Sequence, residues 1–325
     1  MDTVPGVLEL YGDEARKFRH LVRTIEDTLD SRGFQELNPG LLATDRIFRE
    51  NVNHLGERFM ENLVYVSLNG EKNVVVLPEG TMRTYDFMKR KQLLQARIFY
   101  SQPFVRNEPP TDVAKGKTRN FWQIGYELLG QEWLSSSLDA METAHSILAD
   151  AGLKDVRIRF GDGRLMKGLL ARVPSDEREK VLEIIQRAND DPQKFLRLYQ
   201  ERCVGVDDVA KEIASFMGLM SKVDLSLSEL SRISSDSLYQ EGIAALNQIN
   251  EALSPNVNRQ ILPFLGKSWN ACDRLIFDAR VEDCNGAIAG GGNLTYRNYL
   301  PEVEKSGAGI GITRVFQVLK QRGKI

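Results

Sequence analysis

Residues 100–130, YSQPFVRNEPPTDVAKGKTRNFWQIGYELLG, constrain the fold more than any other stretch. An apolar run at 98–100 leads through FVRNE to a loop rich in Pro, Lys and Gly. The chain then returns as RNFWQIGYE. Two strand-like arms around a basic, turn-rich tip predict a β-hairpin with a long loop. In the returning arm, period-two alternation puts Phe121, Gln123, Gly125 and Glu127 on one face. A ring, an amide and a carboxylate there do not make an ordinary buried face. Arg106 can hold an anionic oxygen through its planar fork, and Glu108 can accept from an amino group. Phe121 offers a flat surface for a base. The alternative is a solvated hairpin with scattered charges.

Around this hairpin the chain alternates helix and strand signals. Phe18, Leu21, Val22, Ile25 and Leu29 share one face of a helix expected over 13–32, stopped by Gly33. A short strand then ends at Pro39, and a short helix is expected over 45–51. Strands at 61–68 and 72–77 flank the Asn69, Gly70 turn. The fully apolar end of the second predicts a central position in a sheet. It runs into Pro78, Glu79, Gly80 and Thr81, where a carboxylate can meet an ammonium group. Helices follow over 82–94 and 137–152, and a half-buried strand over 155–160.

From 174 to about 254 only helical patterns occur, over 192–202, 206–218, 225–233 and 235–253 after a first one opening at Pro174. An all-helical stretch inside a strand-rich chain predicts an inserted subdomain. Strand signals return at 274–281 and again at 286–293, where Gly290, Gly291 and Gly292 permit close backbone approach. Alternate glycines in GAGIGITRV leave one strand face bare, with Arg314 opening the last helix.

Composition excludes several classes. With 43 basic and 45 acidic residues, no overall basic excess advertises nucleic acid. Cys203, Cys272 and Cys284 are scattered, which suits a reducing, cytoplasmic setting. Only His20, His54 and His145 are present, so no metal site built from protein clusters alone is expected. No membrane span or leader is read.

Taken together, the helix, strand and Pro39 unit, the FVRNE and NFWQIGYE arms, and GAGIGITRV resemble the three signature motifs of class II aminoacyl-tRNA synthetases. LPEGT and AIAGGG are closer to histidyl-tRNA synthetase. The resemblance covers roughly 5–160 and 270–322. It implies an α+β fold, a class II-type antiparallel sheet flanked by helices. The core would occupy 1–165 and 266–325, with a helical insertion at 166–265. It further implies ATP and Mg²⁺. Arg106, Glu108, Arg119, Phe121, Gly309, Gly311 and Arg314 would bind ATP, with Arg106 and Arg314 catalytic. Glu79, Thr81, Gln123, Glu127, Gly290 and Gly291 would bind an amino acid, with Glu127 facing its side chain.

The reaction implied is formation of an aminoacyl-adenylate by a homodimer, with tRNA or a carrier as acceptor. Where histidyl enzymes carry RGLDYYTG, residues 271–278 read ACDRLIFD. The expectation is a catalytic core without an anticodon-binding domain, either a fragment or a natural form. The regulatory subunit of ATP phosphoribosyltransferase shares both resemblance and shortness, so a phosphoribosyltransferase catalytic subunit is the alternative partner.

Overall fold

The computed structural model describes residues 3–55, 57–188, 191–203, 207–220, 225–263, 265, 272–294 and 299–325. Ala271, the first residue of the ACDRLIFD region, lies outside them. The chain opens with α1 (Gly12–Ser31), β1 (Gln35–Glu36), β2 (Leu42–Thr44), and the short helices α2 (Arg46–Arg49), α3 (Val52–Leu55) and α4 (Glu57–Glu61). Strands β3 (Val64–Leu68) and β4 (Glu71–Val76) lead to α5 (Thr81–Lys91), β5 (Ala96–Val105) and α6 (Pro110–Val113). Then come β6 (Asn120–Leu129), α7 (Trp133–Asp150) and β7 (Arg157–Asp162). A helical run follows: α8 (Gly163–Ala171), α9 (Arg178–Ala188), α10 (Pro192–Arg202), α11 (Asp207–Met220), α12 (Leu227–Ser231) and α13 (Ser237–Ala252). The chain closes with β8 (Arg259–Ile261), β9 (Cys272–Arg280), β10 (Ala289–Leu294), β11 (Lys305–Gly311) and α14 (Ile312–Gln321).

A mixed eight-stranded sheet runs in the order β1-β5-β6-β11-β10-β9-β7-β8, and β2-β4-β3 form a smaller one with β4 in the middle. The fold is α+β, as the sequence predicts. The expected hairpin is the pair β5 and β6, antiparallel from Ala96 opposite Leu129 to Val105 opposite Asn120. β11 pairs antiparallel with the other edge of β6, and β1 lies parallel along β5.

One compact unit comprises Met1–Ile158, Asn256–Asn258 and Asp278–Ile325. Within it the alternation of β6 sorts side chains to two faces. Trp122 meets the Phe18 ring of α1 edge-on at 6.2 Å, and Phe18 meets Phe316 of α14 at 5.2 Å. The Tyr126 hydroxyl donates to the Ala140 carbonyl of α7 at 2.5 Å. This face is apolar because α1, α7 and α14 cover it, and Leu21, Val22, Ile25 and Leu29 of α1 are buried as their spacing predicts. Gly33, at φ 78°, ends α1 in a left-handed conformation.

The opposite face of β6 carries Phe121, Gln123, Gly125 and Glu127. Beside it a second apolar cluster joins Phe48, Val75, Leu77, Met82, Tyr85, Tyr100 and Phe104. Here Gly125 has no freedom to grow a side chain. A Cβ on it would lie 2.2 Å from the Tyr100 ring and hydroxyl.

The other unit comprises Arg159–Pro255 and Arg259–Phe277. Three of its described helices begin at side-chain caps: Asp162 accepts from the Arg164 amide at α8, and Asp191 from the Gln193 and Lys194 amides, with Pro192 inside the first turn of α10. Asp236 likewise caps α13 by accepting from the Tyr239 amide. Helix α8 is absent from the sequence expectations. Gly163 and Gly168 in nine residues weaken its intrinsic helical signal. Packing explains both, since a Cβ on Gly163 would lie 2.6 Å from the Cys272 carbonyl. A Cβ on Gly168 would lie 2.6 Å from the Asp236 carboxylate and 2.7 Å from the Tyr239 amide. Among the described residues, no helix is long and apolar enough to cross a membrane.

The close packing at Gly125 generates a prediction. Gly125→Ala forces a methyl into the Tyr100 ring and should destabilise the chain by about 1–3 kcal/mol. Urea unfolding measures this, and a loss below about 0.5 kcal/mol, the range of an ordinary surface change, would contradict the packing.

Candidate functional site

The odd-numbered face of β6, the start of α14 and the approach to β10 enclose a cleft of ≈ 280 Å³. Arg106, Glu108, Phe121, Gln123, Gly290, Gly309, Gly311 and Arg314 all line it. Residues about 200 positions apart therefore meet, because β11 pairs with β6 along its whole length. The Arg106 guanidinium lies over the Phe121 ring at 4.9 Å, and its Nε donates to the Pro78 carbonyl at 2.8 Å. Burial pulls its pKa below the ordinary range, while Glu79 and Glu108 push it back up. It stays charged in either case. Arg314 donates from Nη1 to the Ala287 carbonyl at 2.5 Å.

The sequence reading passes over Lys117, which also lines the cleft. Its ammonium donates to Glu108 at 3.1 Å and to Asp112 at 2.8 Å. Its basic loop is visible in the sequence, but which lysine folds back onto Glu108 depends on α6, which the loop's Pro and Gly content hides. Thr313 is another omission. Its hydroxyl accepts from the Trp122 amide at 2.8 Å and so ties α14 to β6.

Several expected site residues are not among those that line this cleft. Arg119 is not among the cleft-lining residues. Its Nε donates to the Glu108 carbonyl at 3.0 Å and its Nη1 to the Pro5 carbonyl at 3.1 Å. These bonds stitch the hairpin to the N-terminal segment. Gly291 also lies outside the lining; a Cβ there would meet the Gly307 carbonyl at 2.1 Å, so it serves strand packing.

Glu79 and Glu127, both buried, and the half-buried Thr81 lie beyond Gln123 and outside the lining. Glu79 caps α5, accepting from the Thr81 amide at 2.7 Å and the Met82 amide at 2.9 Å. Glu127 accepts from the Tyr85 hydroxyl at 2.7 Å. The Tyr100 hydroxyl accepts from the Gln123 amide at 3.1 Å and lies 3.3 Å from the Thr81 hydroxyl. Burial raises the Glu79 pKa. It pushes Glu127 up to about 8, with Tyr85 and Thr81 opposing and the Glu79 charge adding to the rise.

Tyr85 and Tyr100, both fully buried, are given no site role in the sequence reading. A signal for Tyr100 does exist: a large ring directly across a strand pair from a glycine, Gly125. Nothing local marks Tyr85, which looks like an ordinary core position of α5.

A mixed sheet flanked by helices, with β5, β6 and β11 antiparallel at its centre, is the fold of class II synthetases. The model of the family described as histidyl-tRNA synthetase matches residues 6–316, and the chain belongs to that family. Histidine–tRNA ligase from Natronomonas pharaonis is 27% identical over 69% of this chain and 51% of its own length. The ligase from Thermus thermophilus is 25% identical over 98% of this chain and 75% of its own. The chain thus spans about half of the first relative and three quarters of the second.

Among the solved structures that share the fold, two serve as examples. An ATP phosphoribosyltransferase regulatory subunit/histidyl-tRNA synthetase from Bacillus halodurans superposes with TM-score 0.82 at 13% identity, covering 98% of this chain and 83% of that one. A histidine–tRNA ligase subunit from Alicyclobacillus acidocaldarius gives 0.78 at 18%, covering 99% and 98%.

The Glu127 environment predicts a pH effect. Its folded pKa is raised from 4.5 to about 8, so the folded chain holds a proton the unfolded chain has released. That contribution to stability is complete below the unfolded value and is lost as pH rises to about 8. Glu127→Gln keeps a neutral hydrogen-bonding group at every pH. Its melting temperature should fall less than the parent's between about pH 5.5 and 8.5, and equal slopes for the two proteins would refute the assignment.

Proposed function

We propose that the chain binds ATP in this cleft and activates an amino acid as its adenylate. The supporting observation is charge. Arg106, Lys117 and Arg314 line the cleft, against the Glu108 carboxylate. Such an excess in a concave site selects a polyanion. Phe121 supplies a stacking face for adenine, and the open side of Gly311 leaves room for the nucleotide, since a Cβ there meets nothing closer than 3.8 Å.

On this reading Arg106 holds the α-phosphate and Arg314 the distal phosphates, while Glu108 accepts from the adenine amino group. Gln123 stands at the amino-acid end beside Gly290. A substrate carboxylate oxygen attacks the α-phosphorus in line. The bond from that phosphorus to the bridging oxygen breaks, and pyrophosphate leaves. The chain supplies position and positive charge rather than covalent chemistry. Mg²⁺ bound by the triphosphate oxygens would neutralise further charge on the leaving group. A tRNA or a carrier then accepts the acyl group. The helical stretch at 166–265 acts as an inserted subdomain of a core formed by 1–165 and 266–325, and two copies pair as a homodimer.

A second reading, a non-catalytic regulatory subunit of an ATP phosphoribosyltransferase, is favoured by the ACDRLIFD sequence where histidyl enzymes carry RGLDYYTG. Amino-acid-dependent exchange of labelled pyrophosphate into ATP, run across the common amino acids, separates the two. Exchange with any of them supports the ligase. Silence throughout, together with tight capture of a phosphoribosyltransferase catalytic subunit, supports the regulator.

Arg106→Ala and Arg314→Ala should each weaken ATP binding at least about tenfold, or about 1.4 kcal/mol, by calorimetry. Unchanged affinity in either folded variant would remove that arginine from the site. Light scattering at micromolar concentration should return a dimer, and a monomer would refute the pairing.

A further inference from the structure

Beyond Gln123, toward Glu127, Tyr100 covers the strand and Tyr85 lies against the carboxylate. Phe121, Gln123, Gly125 and Glu127 follow one another along the same face of β6. Of these, the lining of the cleft includes the first two. At Gly125 the strand has no side chain, and the Tyr100 ring from β5 fills the space: a Cβ placed there would lie only 2.2 Å from it. Gly80 is equally filled, since a Cβ there would lie 2.3 Å from the same ring. The Tyr100 hydroxyl is engaged by Gln123 and Thr81. Behind it, the Tyr85 hydroxyl donates to one oxygen of the Glu127 carboxylate. Tyr85 and Tyr100 are fully buried, and Glu127 is 1% exposed.

We infer that Tyr100 and Tyr85 limit the amino-acid end of the cleft to a substrate with a small side chain, of the size of glycine, alanine or serine. Two features support this. The volume in which a larger side chain would lie is taken by the Tyr100 ring. The carboxylate that would bind an imidazole or another polar side chain already has a protein partner in Tyr85. A buried carboxyl group that keeps its proton at neutral pH is also a poor receptor for a cation. Tyr85 is thus a specificity-determining residue that acts on the substrate only through what it withholds.

The inference rests on the ATP and amino-acid reading of the cleft, and the test keeps the two separate. Calorimetric titration of the full chain, with a non-hydrolysable ATP analogue present, compares glycine, alanine, serine, histidine and phenylalanine. At least one of the three small amino acids should bind. Histidine and phenylalanine should bind at least about tenfold more weakly, the difference a filled pocket commonly imposes.

Tyr85→Ala should shift the ratio of histidine to alanine affinity toward histidine by about tenfold or more. Tyr85→Phe, which keeps the ring, should retain the preference for small side chains. The parent profile alone decides the size limit, so it does not depend on Tyr85→Ala folding. Binding of histidine or phenylalanine as tight as that of alanine overturns the inference, as does the absence of any amino-acid binding. A folded Tyr85→Ala protein with an unchanged ratio removes Tyr85 from the role. If a small amino acid binds but supports no pyrophosphate exchange, the adenylation reading falls and the size limit stands.

Discussion

Strand β6 must satisfy two unlike environments at once, and the rest of the first unit follows from how it does so. Its even-numbered residues, Trp122, Ile124, Tyr126 and Leu128, face the helices and are apolar or end in a bonded hydroxyl. Its odd-numbered residues from Phe121 to Glu127 face the site. Because a strand alternates strictly, a slip of one residue would bury Gln123 and Glu127 under helices and turn Trp122 and Tyr126 toward the site. The register with β11 is held by pairs such as Ile310 with Ile124 and Ala308 with Tyr126. Apolar packing on one face thereby fixes polar chemistry on the other. The site needs no separate device to align it.

The positive cleft places a second demand on the fold. Arg106, Lys117 and Arg314 are brought near one another although like charges repel. Each is restrained by a different partner: the Pro78 carbonyl, the Glu108 and Asp112 carboxylates, and the Ala287 carbonyl. Neutral carbonyls bond the two arginines, although the Glu79 and Glu108 charges still act on Arg106. Of the three cations, Lys117 has its charge largely met by the carboxylates it bonds. The two arginines therefore carry most of the attraction available to an anion.

The legibility of this arrangement in the sequence follows physical range. Alternation is local, so the hairpin, its two-faced returning arm and the place of Glu127 on the site side are readable from residues 121–127. The convergence of Arg106 with Arg314 is readable only through the resemblance, because it depends on which strand pairs with β6. Hydrogen-bond choice is least legible. Nothing in the spacing says that Arg119 bonds the Pro5 and Glu108 carbonyls, or that Tyr85 reaches Glu127 across 42 residues. Helix α8 escapes for a related reason, since a glycine demanded by packing against α13 looks, in sequence, like a break.

The three alternate glycines of β11 show how a correct local reading can still misassign a cause. In sequence they clear a face on which a flat ligand can lie. In the fold, Gly307 stands opposite Glu127, Gly309 opposite Gly125 and Gly311 opposite Gln123. A Cβ on Gly307 would lie 2.6 Å from the Glu127 carboxylate, and one on Gly309 would lie 2.7 Å from the Gln123 amide. Those two glycines accommodate protein side chains, and of the three Gly311 alone would take a Cβ at ordinary contact distance, 3.8 Å. The bare face is therefore graded along the strand, open beside Arg314 and filled toward Glu127. The same gradient that would admit a nucleotide at one end would exclude a bulky side chain at the other.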